Sequence, residues 1–211
     1  MRKRLRILAI VLGTLSLLAL GLGVASAQTT DVYTVNYFSY ANTTAAPDGT
    51  LRIDNPGLSG GDLCAMIYVF DSFQEMSECC GCLQTPNGLQ TFSIDGNLTS
   101  NPLTGNFLST GVIKVVSALP NAGPQGCDPT GGTGPFGGTS ALNIKPKANL
   151  RTWVTHIQGG GPFYVTETES SASTLGVAEL DALQNDCDFI VGQNEGGLGS
   201  GHGICSCGRG D

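Results

Sequence analysis

The chain has 211 residues, with ten lysines and arginines against seventeen acids, 31 glycines and eight cysteines; 40% of residues are hydrophobic and only 13% are charged. A net charge of −7 makes nucleic acids and anionic membranes poor partners. Scarce charge, abundant glycine and recurrent β-branched residues argue against a helical bundle, and runs such as residues 63–70 argue against disorder.

Residues 1–27 read as a secretory signal peptide: four cations within MRKRLR, an apolar stretch to about Val24, and Ala25-Ser26-Ala27 ahead of Gln28. That leader holds four of the ten cations and none of the acids, so the expected mature chain carries −11. No cysteine follows the cleavage point and no later apolar run is long enough to span a bilayer. The reading is one secreted domain over residues 28–211, extracellular or at the cell surface, without membrane attachment once the leader is gone. About 184 residues suffice for one real core.

In residues 31–40 (DVYTVNYFSY) Tyr33, Val35 and Tyr37 alternate with Thr34 and Asn36, the period of a strand with two unlike faces. A turn follows at Ala46-Pro47-Asp48-Gly49, and Leu51 and Ile53 alternate in a short second strand ending at Asn55-Pro56-Gly57. LCAMIYVF (63–70) is continuously apolar and predicts a central strand covered on both faces. Further strands are predicted at 89–94, 111–118, 149–158 and 163–169, with turn chemistry between them, the pattern of a sandwich or barrel. Leu180, Leu183, Cys187 and Ile190 recur at steps of three and four, which predicts a helix from about 175 to 191. Residues 121–139 read as a long loop tied down only through Cys127, and residues 192–211 as a glycine-rich tail. The expected fold is all-β: a disulfide-stapled antiparallel β-sandwich with one C-terminal α-helix.

The cysteines are Cys64, Cys79, Cys80, Cys82, Cys127, Cys187, Cys205 and Cys207. An exported chain meets an oxidising compartment, so disulfides are the expected state of all eight. Cys79 and Cys80 would close a strained ring if bonded together, so each is expected to reach a distant partner. Cys205 and Cys207 share one face of an extended segment, which allows that segment to be stapled to the ECCGC turn. Four bridges allow 105 pairings, and spacing alone leaves them open. The competing reading is a metal site of Cys79, Cys80, Cys82, His202, Cys205 and Cys207; it lacks the pair of Cys-x2-Cys knuckles usual for zinc, since Cys205 and Cys207 are only two apart, and export favours oxidation, so no metal is assigned.

Other signatures fare less well. Residues 57–61 (GLSGG) match the nucleophile-elbow pattern, but an apolar strand follows Ser59 where a helix is needed. Residues 132–137 (GTGPFG) match a dinucleotide fingerprint, yet Pro135 and further glycines stand where the helix should begin. His156 sits in a strand pattern beside Trp153 and reads as a packed or surface residue; Glu167 and Glu169 share a strand face and read as solvated. Asp54, Asp62 and Asp128 are loop acids able to serve calcium, but no recognisable ligand loop joins them. Asn42-Thr43-Thr44 and Asn97-Leu98-Thr99 match the glycosylation acceptor, and Arg209-Gly210-Asp211 spells an adhesion tripeptide at a terminus. No catalytic residue and no cofactor is assigned.

The segments GDLCAMIYVFD (61–71), ECCGC with TPNGL (78–89), LTSNPLTG (98–105), GVIKVVS (111–117), TETESSASTLGVAELDALQNDCDFI (166–190) and GSGHGICSCG (199–208) together resemble a family of uncharacterised exported bacterial proteins. The resemblance covers nearly the whole mature chain. It implies a bacterial source and a conserved cysteine framework, and it transfers no activity.

An exported, acidic, cysteine-rich β-domain without a nucleophile, base and orienting group suits building or binding better than catalysis. The segment 31–40, just past the cleavage point and joined to the body through a flexible stretch at 43–49, is expected to serve as an arm that completes a neighbour's sheet, with Tyr33, Val35 and Tyr37 entering pockets. Head-to-tail repetition of that contact yields a filament, with the chain itself as partner. Pairing of the same segment within its own sandwich is the simpler fate. A secreted module for glycans or calcium is the alternative function, and a secreted hydrolase the third.

Overall fold

A computed structural model describes residues 32–100, 107–121, 126–130 and 144–192, together with Cys205 and Cys207. The expected signal peptide, most of the 121–139 loop including the 132–137 glycine pattern, His202 and the final tripeptide lie outside the described residues.

In chain order the elements are β1 (Tyr33–Ser39), β2 (Thr50–Asn55), β3 (Leu63–Asp71), β4 (Met76–Gln84), β5 (Gly88–Ser93), β6 (Thr110–Leu119), β7 (Lys145–Pro146), β8 (Arg151–Gly159), β9 (Phe163–Glu169), β10 (Ser171–Ala172) and α1 (Val177–Gly192), with one π turn at Ile94–Leu98. They build two antiparallel sheets. The first runs β10-β1-β6-β3-β4, with β7 extending β6, and the second runs β5-β2-β8-β9. The antiparallel sandwich with one C-terminal helix expected from the sequence is the fold observed. Among the described residues no helix is long and apolar enough to cross a membrane.

Alternation explains the layering. In β3, Leu63, Ala65, Ile67 and Val69 point between the sheets with Leu51, Ile53, Phe92 and Val154, while Cys64, Met66 and Tyr68 point outward beneath the helix residues Leu180, Leu183 and Cys187. Every residue from Leu63 to Val69 is fully buried, because this strand lies between β6 and β4 and is covered on both faces. The molecule therefore has three layers: sheet, sheet and helix. The helix is fixed electrostatically as well. Lys114 Nζ lies 2.7 Å from Glu179 Oε1, Tyr33 donates to the same oxygen at 2.9 Å, and the Lys114 ammonium stands 4.5 Å above the Phe70 ring.

Two elements depart from expectation. The ECCGC segment is not a turn: it is the middle of β4, which pairs with β3 from Leu63↔Gln84 to Val69↔Glu78 and, past a register shift, at Phe70↔Met76. The 43–49 stretch is not a free linker either. Asn42 leads it and is held by three hydrogen bonds: its backbone amide donates to Asp95 Oδ1, and its side-chain amide donates to Thr99 Oγ1 and the Leu108 carbonyl.

Candidate functional site

The cysteine framework follows from β4 being a strand. Its successive side chains alternate faces, so Cys79 points to the helix while Cys80 and Cys82 point between the sheets. Cys79 bonds Cys187 on α1, Cys80 bonds Cys205, Cys82 bonds Cys207, and Cys64 on β3 bonds Cys127. No cysteine is free. Cys205 joins the inter-sheet core, and the carbonyl of Cys207 accepts from the Gln90 side chain of β5. The tail residues thus close the open flank between β4 and β5. Gly81 permits the neighbouring bridge, since a side chain there would begin 2.1 Å from the Cys127 carbonyl oxygen. Four bridges of this kind belong to an oxidising environment.

The sulfurs of Cys80, Cys82 and Cys207 lie within 4.8 Å of one another. Each is already bonded to another sulfur and offers no thiolate, the form in which cysteine binds metal. Cys79, counted in the same set from the sequence, faces the opposite side of the strand.

β1 lies within its own chain's sheet. It pairs with β6 over seven positions, from Tyr33↔Val116 to Ser39↔Thr110, and its other edge meets β10 at only Thr34 and Val35. Tyr33 is buried against the helix side, Val35 is half-buried there, and Tyr37 is 51% exposed. The deepest anchor of the strand is Phe38, on the opposite face, fully buried between the sheets. It belongs to the alternate set Thr34, Asn36 and Phe38, which the emphasis on Tyr33, Val35 and Tyr37 passed over. Beyond β1 the chain bends through three non-glycine residues at positive φ: Tyr40 at 60°, Asn42 at 52° and Ala45 at 65°. Asparagine tolerates this conformation; tyrosine and alanine do so at a cost of order 1 kcal/mol each.

The remaining sequence candidates are dispersed. His156 is buried, stacks on Tyr37 with ring centroids 4.2 Å apart, and places Nε2 2.6 Å from Thr168 Oγ1. Burial lowers its pKa and so favours the neutral ring, and its Nδ1 has no partner. Glu167 and Glu169 share a strand face as expected, each paired to its own arginine: Arg52 at 3.1 Å and Arg151 at 2.7 Å. Ser59 donates to the Gly61 carbonyl in a turn that enters β3, with no helix after it. Asp54 sits in β2, Asp62 precedes β3, and Asp128 accepts from the amide and hydroxyl of Thr130; they form no common ligand group. Asn42 and Asn97 both use their side-chain amides in hydrogen bonds.

Sequence reasoning missed Glu78. It is 1% exposed, and its Oε1 has no hydrogen-bond partner. Desolvation pushes its carboxyl up to about 8, so the group is mainly protonated at neutral pH. The signal was available: reading MSECCGCL as a strand puts Glu78 on the same face as Cys80 and Cys82.

No family model matches the chain, and no curated protein matches it. Among solved structures it is similar to the crystal structure of Thermotoga maritima 1070, at 9% identity and a TM-score of 0.40, over 69% of this chain and 97% of that one.

Proposed function

We propose that the protein is an exported structural subunit that assembles with copies of itself outside the cell by exchanging β1. The observation that carries this reading is the join between β1 and β2. A terminal strand that supplies the buried Phe38 and seven rungs of ladder is followed by a bend holding Tyr40 and Ala45 at positive φ. A strained hinge next to a terminal strand favours exchange, because straightening relieves the bend while the donated strand makes the same contacts on the next subunit. The disulfides lie outside β1 and hold the acceptor together while that strand is away.

The test is add-back. A chain lacking residues 28–40 has an open slot where Phe38 and Tyr33 belong, and a synthetic peptide of residues 31–40 should fill it and yield a capped monomer. The full mature chain should form filaments under negative-stain microscopy. Filaments from the peptide-capped truncated chain would refute strand exchange.

A second reading, a glycan-binding module, draws on the exposed aromatic seam of Tyr37, Tyr40 and Tyr164, where Tyr40 meets Phe163 edge-on at 5.5 Å. Binding on a glycan array, lost in Tyr37→Ala, would favour it.

A further inference from the structure

The sandwich has four sheet edges, and they are not treated alike. The β1 edge is capped by β10 and tied to the second sheet where Ser39 Oγ donates to the Ile157 carbonyl at 2.6 Å. The β4 flank is closed by the bridges to Cys205 and Cys207, and β5 leans on the same tail through Gln90. Among the described residues β9 has no such cover. It ends its sheet, pairs only with β8, and is exposed at every residue but the half-buried Phe163. Of the usual guards of an open edge it carries only the two acids Glu167 and Glu169. Its seven rungs with β8 run without a bulge, and the sequence FYVTETE contains neither proline nor lysine. Among the described residues it is approached from outside its own sheet by the Asn36 amide, 3.5 Å from the Thr168 carbonyl, and by the Tyr40 ring, which meets Phe163 at 5.5 Å.

We infer that β9 is a homodimerisation edge, pairing antiparallel with β9 of a second copy about a two-fold axis at Thr166. Charge selects both the partner and the register. Glu167 and Glu169 are each paired within their own sheet with Arg52 and Arg151, so they repel an incoming strand less than bare acids would, while still opposing a register that sets them face to face. A two-fold centred on Glu167 would set that residue opposite itself, and one centred on Thr168 would set Glu167 opposite Glu169; like charges directly opposed are destabilising. Centring on Thr166 avoids both and uses the whole strand: Thr166 meets Thr166, Val165 meets Glu167, Tyr164 meets Thr168 and Phe163 meets Glu169. The exposed Tyr164 and Val165, 63% and 55% accessible, are covered in the process. A two-fold contact closes on itself, and the pairing stands whether or not β1 is exchanged. A strand edge alone is smaller than a standard interface, so the dimer is a weak one, tightened by salt because both copies are acidic.

The test uses the mature protein and two variants, Thr166→Lys and Thr166→Glu, at an exposed position where folding is not at stake. In sedimentation velocity the wild type, at concentrations below those at which filaments form, should show a monomer–dimer equilibrium. Each variant alone should dimerise roughly tenfold less tightly, with like charges meeting at the axis. An equimolar mixture of the two should recover dimer, since lysine then faces glutamate. If strand exchange also operates, the variants still form filaments, but single rather than paired. A monomeric wild type, variants that sediment like the wild type, or a mixture that fails to recover dimer would each overturn the assignment.

Discussion

Glu78 makes the stability of the protein depend on pH in a direction opposite to that of most carboxylates. Its pKa rises from 4.5 to about 8 on folding, because burial between the sheets penalises the charged form. The folded state therefore holds a proton that the unfolded chain has released. The contribution of the protonated side chain is complete below 4.5, falls as pH rises, and is lost once pH has passed through about 8. At about 1.4 kcal/mol per pH unit, the full span is worth about 5 kcal/mol, of which about 3 to 4 kcal/mol is already lost at pH 7. Glu78→Gln keeps the shape and removes the ionisation. Near pH 4 the variant should match the wild type to within about 1 to 2 kcal/mol, the usual cost of an unpartnered buried amide. By pH 8 it should be the more stable protein by several kcal/mol. The assay is guanidinium unfolding with the disulfides intact, for both proteins at half-unit steps from pH 4 to 9. The difference curve isolates Glu78 from every other titrating group. A difference that stays flat across that range would refute the argument.

The acid side tests a different carboxylate. Glu179 is held below its ordinary range, chiefly by the Lys114 hydrogen bond, so its contribution is present above 4.5 and lost as pH falls through the lowered value; hydrogen exchange should show α1 loosening there, and Glu179→Gln should abolish the transition. Replacing Cys79 and Cys187 together with alanine opens a 108-residue loop and should cost ~2 to 4 kcal/mol, with exchange rising in the helix amides while the β3 amides stay protected. Gly111→Ala places a methyl carbon 2.1 Å from the Phe70 carbonyl oxygen and 2.7 Å from the Phe38 ring, so the backbone must shift. A loss of roughly 1 to 3 kcal/mol in chemical denaturation is expected, and an unchanged midpoint would mean that the three strands move apart freely.

Much of the architecture was legible because it is written in hydropathy. The unbroken run in β3 and the alternation in β1, β6 and β8 report which faces are buried, and Leu180, Leu183 and Cys187 mark the helix face that meets the sheet. β4 escaped because its inward and outward positions are filled by cysteine, glycine and glutamate, whose hydropathy carries no period. Seeing it as a strand would have shortened the disulfide problem at once. Cys79 must then face away from Cys80 and Cys82, and the two-residue step of Cys205 and Cys207 matches only the inner pair. Edge status was beyond reach for another reason: alternation tells which residues of β9 face inward, but only the order of strands tells that, among the described residues, β9 ends its sheet.

The same two-residue step explains why an acid is buried at all. Glu78 follows Cys80 and Cys82 onto the inner face, and those two sulfurs are bonded to Cys205, which is in the core, and Cys207, which packs against it. Rotating the strand to free the carboxylate would tear both bridges from their partners, so the sulfur framework holds the acid where desolvation raises its pKa. If that is the cause, reduction should shrink the difference between wild type and Glu78→Gln at pH 8, because β4 can then turn its edge toward water. The same titration repeated in reductant measures it. A difference that survives reduction in full would assign the confinement of Glu78 to its ladder with β3 instead.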